Sequence, residues 1–323
     1  MQSVLITGTS GFIGSHLAEI FLKHNCNLAL FIRKRNELID EFEQRGAKII
    51  EGSFESKKTL MSAVHGMDVV IHNAGTTKAF QEQEYLKVNS QYTKNLLNVL
   101  NGNQKLIFIS SQAAAGPSSF SKPLTEEATP NPISYYGKSK LLAEQYIKEW
   151  GAQNNSNFII LRPSAIFGPG DKAFFPFFKA ASKGFYYTVS HGIEQFSIIY
   201  VKDLAFAIIK LVESGVKGKT YFVSSNDYCN QNDLMENIKK TYNRKKLLTA
   251  RIPIHLISFG VNIFEKFYRN IFTLNSQKLL ELKHRSWLIS SKQINDDLQW
   301  EAEYSLEHAV NETAQWYISH KWL

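Results

Sequence analysis

The sequence predicts an α/β fold: a doubly wound parallel sheet with helices on both faces, followed by a smaller and mostly helical C-terminal substrate lobe. Three observations carry this. Short apolar runs alternate with helix-period segments through the first half of the chain. A glycine-rich turn joins the first run to the first helix. Past Gly168 the alternation gives way to aromatics, polar loops and helices. Strands covered by helices on both faces read as unbroken apolar runs, which is what the first half contains.

The elements follow in order. VLIT (4–7) precedes SHLAEIFLKH, in which Leu17, Ile20, Phe21 and Leu22 form an apolar face. Then come NLALFI (27–32), a helix around Glu37 to Arg45, AKIIEG (47–52), a helix from Lys57 to Val64, and DVVIHNAG (68–75). A longer helix is expected from Tyr85 to Leu100, followed by KLIFISS (105–111), a helix from Tyr136 to Trp150, and NFIILRP (157–163). Later, SIIYVKD (197–203) leads into a helix and KTYFVSS (219–225) reads as one more strand. Residues 1–167 are therefore expected to form a dinucleotide-binding domain to which 193–225 returns. The remaining lobe is built mainly from 168–192 and 226–323.

Composition narrows the class. With 323 residues, 44% hydrophobic and 20% charged, the chain reads as globular and large enough to bury a core. Cys26 and Cys229 lie far apart and make no metal or disulfide pattern, as expected in a reducing compartment. The start, MQSVLITGTSGF, leaves no room for a signal peptide, and no window reaches the roughly 20 apolar residues of a membrane span. A cytoplasmic protein is expected. The net charge of +8 is scattered (Lys57-Lys58, Lys239-Lys240, Lys245-Lys246) rather than gathered in a recognisable module. That argues against a nucleic-acid partner and for anionic metabolites.

TGTSGFIG (7–14) carries Gly8, Gly11 and Gly14 between the first strand and the first helix. Glycine there permits a tight turn and close approach to a pyrophosphate, while backbone N–H groups at Phe12 and Ile13 open the helix. The second strand ends Phe31-Ile32-Arg33-Lys34-Arg35, with no acid until Glu37. A carboxylate is missing where the free ribose hydroxyl of NAD would want one. Arg33 and Arg35 are suited to a 2′-phosphate, so NADP(H) is expected to be preferred, with NAD(H) possible.

YYGKSK (135–140) sets Tyr136 and Lys140 four apart, a spacing that puts both on one helical face. Alone it does not separate chemistry from the exposed start of a helix. The company it keeps does. TGxxGxxG at Thr7 to Gly14, Asn73-Ala74-Gly75, Ser110-Ser111, Tyr136-x-x-x-Lys140, and Arg162-Pro163 before Phe167-Gly168-Pro169-Gly170 together resemble the short-chain dehydrogenase/reductase superfamily. Length and the helical C-terminal part resemble its extended branch, which holds nucleotide-sugar epimerases and dehydratases, dihydroflavonol reductases and 3β-hydroxysteroid dehydrogenases. The likeness covers nearly the whole chain, including SIIYVKDLA (197–205) and the closing LEHAVNETAQWYISHKWL.

The resemblance implies a Rossmann-like domain, a nicotinamide cofactor, and a catalytic set of Ser111, Tyr136 and Lys140 supported by Asn89. It further implies cofactor contacts at Ser53 and Phe54, at Ala74, Gly75 and Thr76, and at Pro163 and Ile166, with no metal. A phenol of ordinary pKa near 10 is a poor base, and Lys140 is expected to favour its ionised form. Tyr135, about 100° away around the helix, is the internal control.

Four departures from the family pattern stand out: Ser53 for an aspartate near the adenine, Ala115 for a tyrosine, Gln112-Ala113 for the acid pair of dehydratases, and Tyr200 for a histidine. Ala115 is expected to enlarge its side of the pocket. Loss of the acid pair disfavours water elimination.

The expected function is therefore NADP(H)-dependent hydride transfer on a carbonyl or alcohol carbon of a small or medium organic substrate. One alternative is a nucleotide-sugar epimerase, with Arg251, Arg269 or Arg285 holding a diphosphate. Another is a non-catalytic cofactor-binding subunit. Phe174, Phe175, Phe177, Phe178, Phe185, Tyr186 and Tyr187 read as core of the small lobe, with an apolar pocket as the alternative. Residues 251–272 read as a lobe helix, with membrane-surface contact as the alternative. A homodimer through the helices at 85–100 and 136–150 is expected from the resemblance.

Overall fold

The computed structural model describes residues 1–323 except 25, 156, 245 and 268–275, and only the backbone of 262–267. The first half runs β1 (Gln2–Thr7), α1 (Phe12–Phe21), β2 (Cys26–Ile32), α2 (Glu37–Gln44), β3 (Lys48–Glu51), α3 (Lys57–Val64), β4 (Val69–His72), α4 (Glu82–Tyr85), a π-helical turn (Leu86–Gln91), α5 (Tyr92–Leu97), β5 (Lys105–Ile109), α6 (Tyr135–Gln153) and β6 (Phe158–Pro163). The second runs β7 (Ala165–Phe167), α7 (Phe175–Ser182), β8 (Phe185–Ser190), β9 (Gln195–Tyr200), α8 (Val201–Glu213), β10 (Lys219–Val223), β11 (Tyr228–Cys229), α9 (Gln231–Thr241), β12 (Leu248–Pro253), α10 (Ile254–Phe267), α11 (Ser276–Leu282), β13 (Ser286–Trp287), α12 (Lys292–Leu298) and α13 (Leu306–Ser319).

Seven parallel strands form the main sheet in the order β10-β6-β5-β4-β1-β2-β3. The pleat sends alternate side chains to opposite faces. On β1, Val4 and Ile6 pack with Leu17, Ala18 and Phe21 of α1 and with Leu204 and Ile208 of α8. Leu5 faces the other way, toward Leu60 of α3, Leu96 of α5, and Ala143 and Ile147 of α6. Both faces are thus covered, which explains the unbroken apolar runs. The order in which strands are added reverses between the parallel neighbours β1 and β4, so a crevice opens at their carboxyl ends, the usual ligand position in such sheets.

A second sheet, β11-β9-β13 with β7 beside β9, carries the small lobe, and β8 and β12 form a separate two-stranded ribbon. Of residues 193–225, α8 and β10 lie with the main sheet whereas β9 joins the second one. The aromatic run fills the lobe. Phe178 and Tyr186 are buried with Tyr200 and Tyr317, and Phe174, Phe175 and Phe177 pack on them. Phe185 alone of that run stands out, 52% exposed.

The single helix expected from Tyr85 to Leu100 is broken by the π-helical turn at 86–91. Thr93 Oγ1 donates to the Asn89 carbonyl at 2.7 Å, and Ser90 Oγ donates to the Ser139 carbonyl at 2.8 Å. These contacts hold the widened turn against α6. Such single π turns often coincide with functional sites.

Candidate active site

The glycine turn is as tight as its composition requires. Gly8 has φ +77°, and a Cβ there would lie 2.8 Å from Ala74 Cα; one on Gly14 would lie 2.1 Å from the Gly8 carbonyl. Gly11 stands at the N-cap of α1 with no side-chain cap, so the first-turn N–H groups at Phe12 and Ile13 are left for a ligand. Thr9 Oγ1 beside them is buried without a partner. A closely approachable backbone, uncapped donors and an orphaned hydroxyl fit the pyrophosphate of a dinucleotide.

At the end of β2, Arg33 and Lys34 are exposed. Arg35 is engaged elsewhere: it donates to Glu51 at 2.8 Å, to Asp40 at 3.0 Å and to Glu43 at 2.9 Å. Carboxylates from α2 and β3 converge on it, a competition the local sequence does not display. Ser53 lies in a turn, its Oγ accepting from the Glu55 N–H at 3.1 Å. The Phe54 ring is buried edge-on to Phe31 and stacked on Tyr92 at 5.5 Å, so it belongs to the core, and its carbonyl accepts from Asn95 Nδ2 at 2.8 Å.

Tyr136 opens α6. Ser134 caps that helix by accepting from the Gly137 N–H at 3.1 Å. A Cβ on Gly137 would lie 2.2 Å from the Ala113 carbonyl, so glycine lets α6 press on the short turn 112–114. This contact brings Tyr136 beside Ser111, whose hydroxyl favours the ionised phenol and accepts from the Ala113 N–H at 3.1 Å. Ser110 points the other way, donating to Glu144 at 2.6 Å. Glu144 is clamped by Arg162 Nε at 3.0 Å and Nη2 at 2.6 Å in a buried ion pair.

Lys140 is buried, with Nζ donating to the Ile109 carbonyl at 2.8 Å and lying 4.6 Å from the centre of the Phe108 ring. Asn89, fully buried in the π-helical turn, accepts from the Thr76 N–H at 2.7 Å and donates to the Thr76 carbonyl and to Ser139 Oγ. A Cβ on Gly75 would lie 3.0 Å from Asn89 Oδ1 and 3.3 Å from Lys140 Nζ, so Gly75, Thr76, Asn89 and Lys140 share one small space. Beneath it, His72 bridges Thr7 and Thr93 at 3.0 Å each, and Ala74 N–H donates to Thr7 Oγ1. Since Thr93 gives its proton to Asn89, the histidine is the Nε2–H tautomer, and the chain ties glycine turn to π turn.

Burial dominates the protonation states. It pushes Tyr136 up to about 12, with the Ser111 hydrogen bond opposing, and it pushes Lys140 down to about 8, with Glu144 opposing. The expectation that Lys140 would make the phenol acidic is therefore not met in this arrangement: its ammonium is turned to the Ile109 carbonyl, and desolvation is the larger effect. Buried His72 is held down at about 3 and stays neutral.

Pro163 ends β6, Ile166 is half-buried in β7, and Ser164 Oγ between them is buried without a partner. Ala115 does not widen a pocket; it is buried with Phe222 and Ile289, which fill that side. Gln112 and Ala113 are buried, and Tyr200 donates to Glu312 at 2.7 Å. Among the diphosphate candidates, Arg285 is paired with Glu194 at 2.7 Å, Arg251 is exposed on β12, and Arg269 lies outside the described residues. No cluster of metal-ligating side chains occurs among the described residues.

Three neighbours of Tyr136 carry no local sequence signal. The Tyr85 ring lies 6.3 Å away. From the small lobe, α11 caps the start of α6: Gln277 Oε1 accepts from the Tyr135 N–H at 2.9 Å, and Glu281 Oε1 accepts from Ser134 Oγ at 2.8 Å. The Glu281 charge adds to the upward push on Tyr136.

A glycine turn at the switch point of a parallel sheet, with Tyr136 and Lys140 on the neighbouring helix, defines an NAD(P)-dependent enzyme of the extended short-chain dehydrogenase/reductase type. Residues 4–224 match the NAD dependent epimerase/dehydratase family, and the chain belongs to it. It is 28% identical over 247 residues (70% of this chain, 71% of the relative) to a decarboxylating sterol-4-alpha-carboxylate 3-dehydrogenase of Candida albicans. It is 26% identical to the N-acetyl-alpha-D-glucosaminyl-diphospho-ditrans,octacis-undecaprenol 4-epimerase of Escherichia coli O157:H7, covering 99% of this chain and 96% of that one. Its fold matches the dTDP-glucose 4,6-dehydratase of Bacillus anthracis in complex with NAD, with TM-score 0.81 and 19% identity over 99% and 98% of the two chains.

Proposed function

We propose that the protein is an NADP(H)-dependent oxidoreductase acting on a carbonyl or secondary alcohol, with Tyr136 as general acid and base. The observation that carries this reading is the placement of Tyr136 in the first turn of α6 beside Ser111, with Lys140 one turn further along. Gly8, Gly11, Phe12 and Ile13 would hold the pyrophosphate, Arg33 the 2′-phosphate, and Ala74, Gly75, Thr76, Pro163 and Ile166 would border the ring end. A dihydronicotinamide held there would supply the hydride for the carbonyl carbon.

Ser111 donates to the carbonyl oxygen and orients it toward Tyr136. Tyr136, neutral at pH 7 because burial holds its pKa near 12, is in the state needed to give its proton to the forming alkoxide. Lys140, held in reach of Gly75 and Asn89, would donate from its ammonium to the nicotinamide ribose and so position the ring. Oxidation runs the same path backwards. The two hydrogen bonds between Asn89 and Thr76, with the buried one from Asn89 to Ser139, keep this geometry fixed.

A second reading is favoured by the end-to-end likeness to the Escherichia coli 4-epimerase. There the same residues would oxidise and re-reduce one carbon. Absorbance at the reduced-nicotinamide band separates the two: a reductase consumes NADPH one for one with product, whereas an epimerase leaves no lasting change. The relatives' names supply a substrate class for either reading. Sterol and undecaprenol are both apolar, so an alcohol or ketone on an apolar-tailed molecule is the substrate to try first.

A further inference from the structure

We propose that the unit made by β8, β12 and α10 is a docking surface for an anionic lipid bilayer. The ribbon stands apart from both larger sheets, because β12 pairs only with β8, Phe185 opposite Leu248 and Thr188 opposite Arg251. Tyr186 of β8 turns into the lobe core, but four large apolar side chains of the unit face solvent. Phe185 is 52% and Leu248 68% exposed, and on α10, which continues β12 without a break, Leu256 is 56% and Phe259 67% exposed. Leu256 and Phe259 are three residues apart and share a helical face. Four large apolar side chains left in water on one small unit mark an interaction surface.

Charge decides which partner fits. No aspartate or glutamate occurs from 237 to 264 or from 172 to 193; Lys239 and Lys240 pair with Glu236 and Glu307, whereas Arg244, Lys246 and Arg251 form no ion pair among the described residues. Arg244, Lys246 and Arg251 are exposed, as is Lys183 beside Phe185. Apolar side chains set beside exposed Lys183, Arg244, Lys246 and Arg251 suit an interface of acyl chains and negative headgroups. None of the described helices is long and apolar enough to cross a membrane, so contact is with the surface.

The position of the unit gives the contact a use. α10 packs against α11, and α11 in turn holds the start of α6 through Gln277 and Glu281. The exposed face is thus joined by two helices to the residue beside Tyr136, so docking would link a bilayer-borne, apolar-tailed substrate to the element that carries the site. That use rests on the redox reading given above; the docking itself does not.

The test is flotation of the full chain with vesicles of phosphatidylcholine mixed equally with phosphatidylglycerol, against phosphatidylcholine alone, with NADPH binding measured separately by calorimetry. The chain is expected to float with the mixed vesicles only. The doubly substituted Leu256→Ser, Phe259→Ser protein should bind them about tenfold or more weakly. Arg251→Glu should lose severalfold. Both variants should retain wild-type NADPH uptake, which shows that they are folded. Flotation without any NADPH uptake would leave the docking standing and remove the redox reading. Absence of flotation, equal flotation of the double variant, or a dimer broken by that variant in a chain that ignores vesicles would each overturn the proposal.

Discussion

Ser110 Oγ donates to Glu144 at 2.6 Å, and this bond turns Ser110 away from Tyr136. Adjacent residues in extended backbone point to opposite sides, so the same bond leaves Ser111 on the side of the phenol, where its hydroxyl opposes the upward push on Tyr136. One serine of the pair is structural and the other chemical. Ser111→Ala is expected to lower kcat by about 10²- to 10³-fold, the usual effect of losing one donor to a developing oxyanion. Ser110→Ala should keep most of the activity and lose about 1 kcal/mol of stability. Steady-state kinetics and urea melts on the two variants check this.

The Glu144–Arg162 pair is completely enclosed, so removing one partner strands the other. Arg162→Met is expected to cost about 3–5 kcal/mol in chemical denaturation, and the double change Glu144→Leu with Arg162→Met should recover most of it. A loss below about 1 kcal/mol for the single variant would mean that water reaches the pair.

The pH profile of carbonyl reduction follows from two directions of shift. Tyr136 is pushed up to about 12 and Lys140 down to about 8, so below pH 8 the phenol holds its proton and the lysine its charge. The rate of reduction is expected to be level from mildly acidic pH to about 7.5 and to fall as Lys140 loses its charge above about 8. Because His72 is held at about 3, no inflection near 6.5 should appear. A rate that rises through pH 8 to 9 would contradict the assignment.

Arg33 and Arg35 should differ in cofactor choice. Arg35 is already bonded to Glu51, Asp40 and Glu43, whereas Arg33 is exposed at the end of β2. Arg33→Ala is expected to reduce the preference for NADPH over NADH by roughly ten- to a hundredfold. Arg35→Ala should change it much less. Titrating both cofactors against both variants gives the comparison.

Much of this was legible in the sequence because it is local. Strands read as apolar runs because both sheet faces are covered, and Gly8 and Gly14 announce a turn that tolerates no Cβ. Tyr136 and Lys140 are spaced by helix geometry alone. What was not legible depends on partners distant in sequence. The π turn that presents Asn89 is held by Thr93 and by Ser139 across the helix interface. The bond from Ser134 to Glu281 spans 147 residues. The withdrawal of Arg35 by three carboxylates, and the filling of space beside Ala115 by Phe222 and Ile289, likewise follow from tertiary packing.

The central claim, a pyridine nucleotide at the glycine turn with Tyr136 as the proton donor, is tested most directly by calorimetric titration of NADPH into wild-type and Tyr136→Phe protein, with turnover measured on the same preparations. Binding of one NADPH per chain with similar affinity in both, and turnover lost only in the variant while Tyr135→Phe remains active, is the predicted result. Folded wild-type protein that takes up no pyridine nucleotide, or a Tyr136→Phe protein that turns over like wild type, would contradict it.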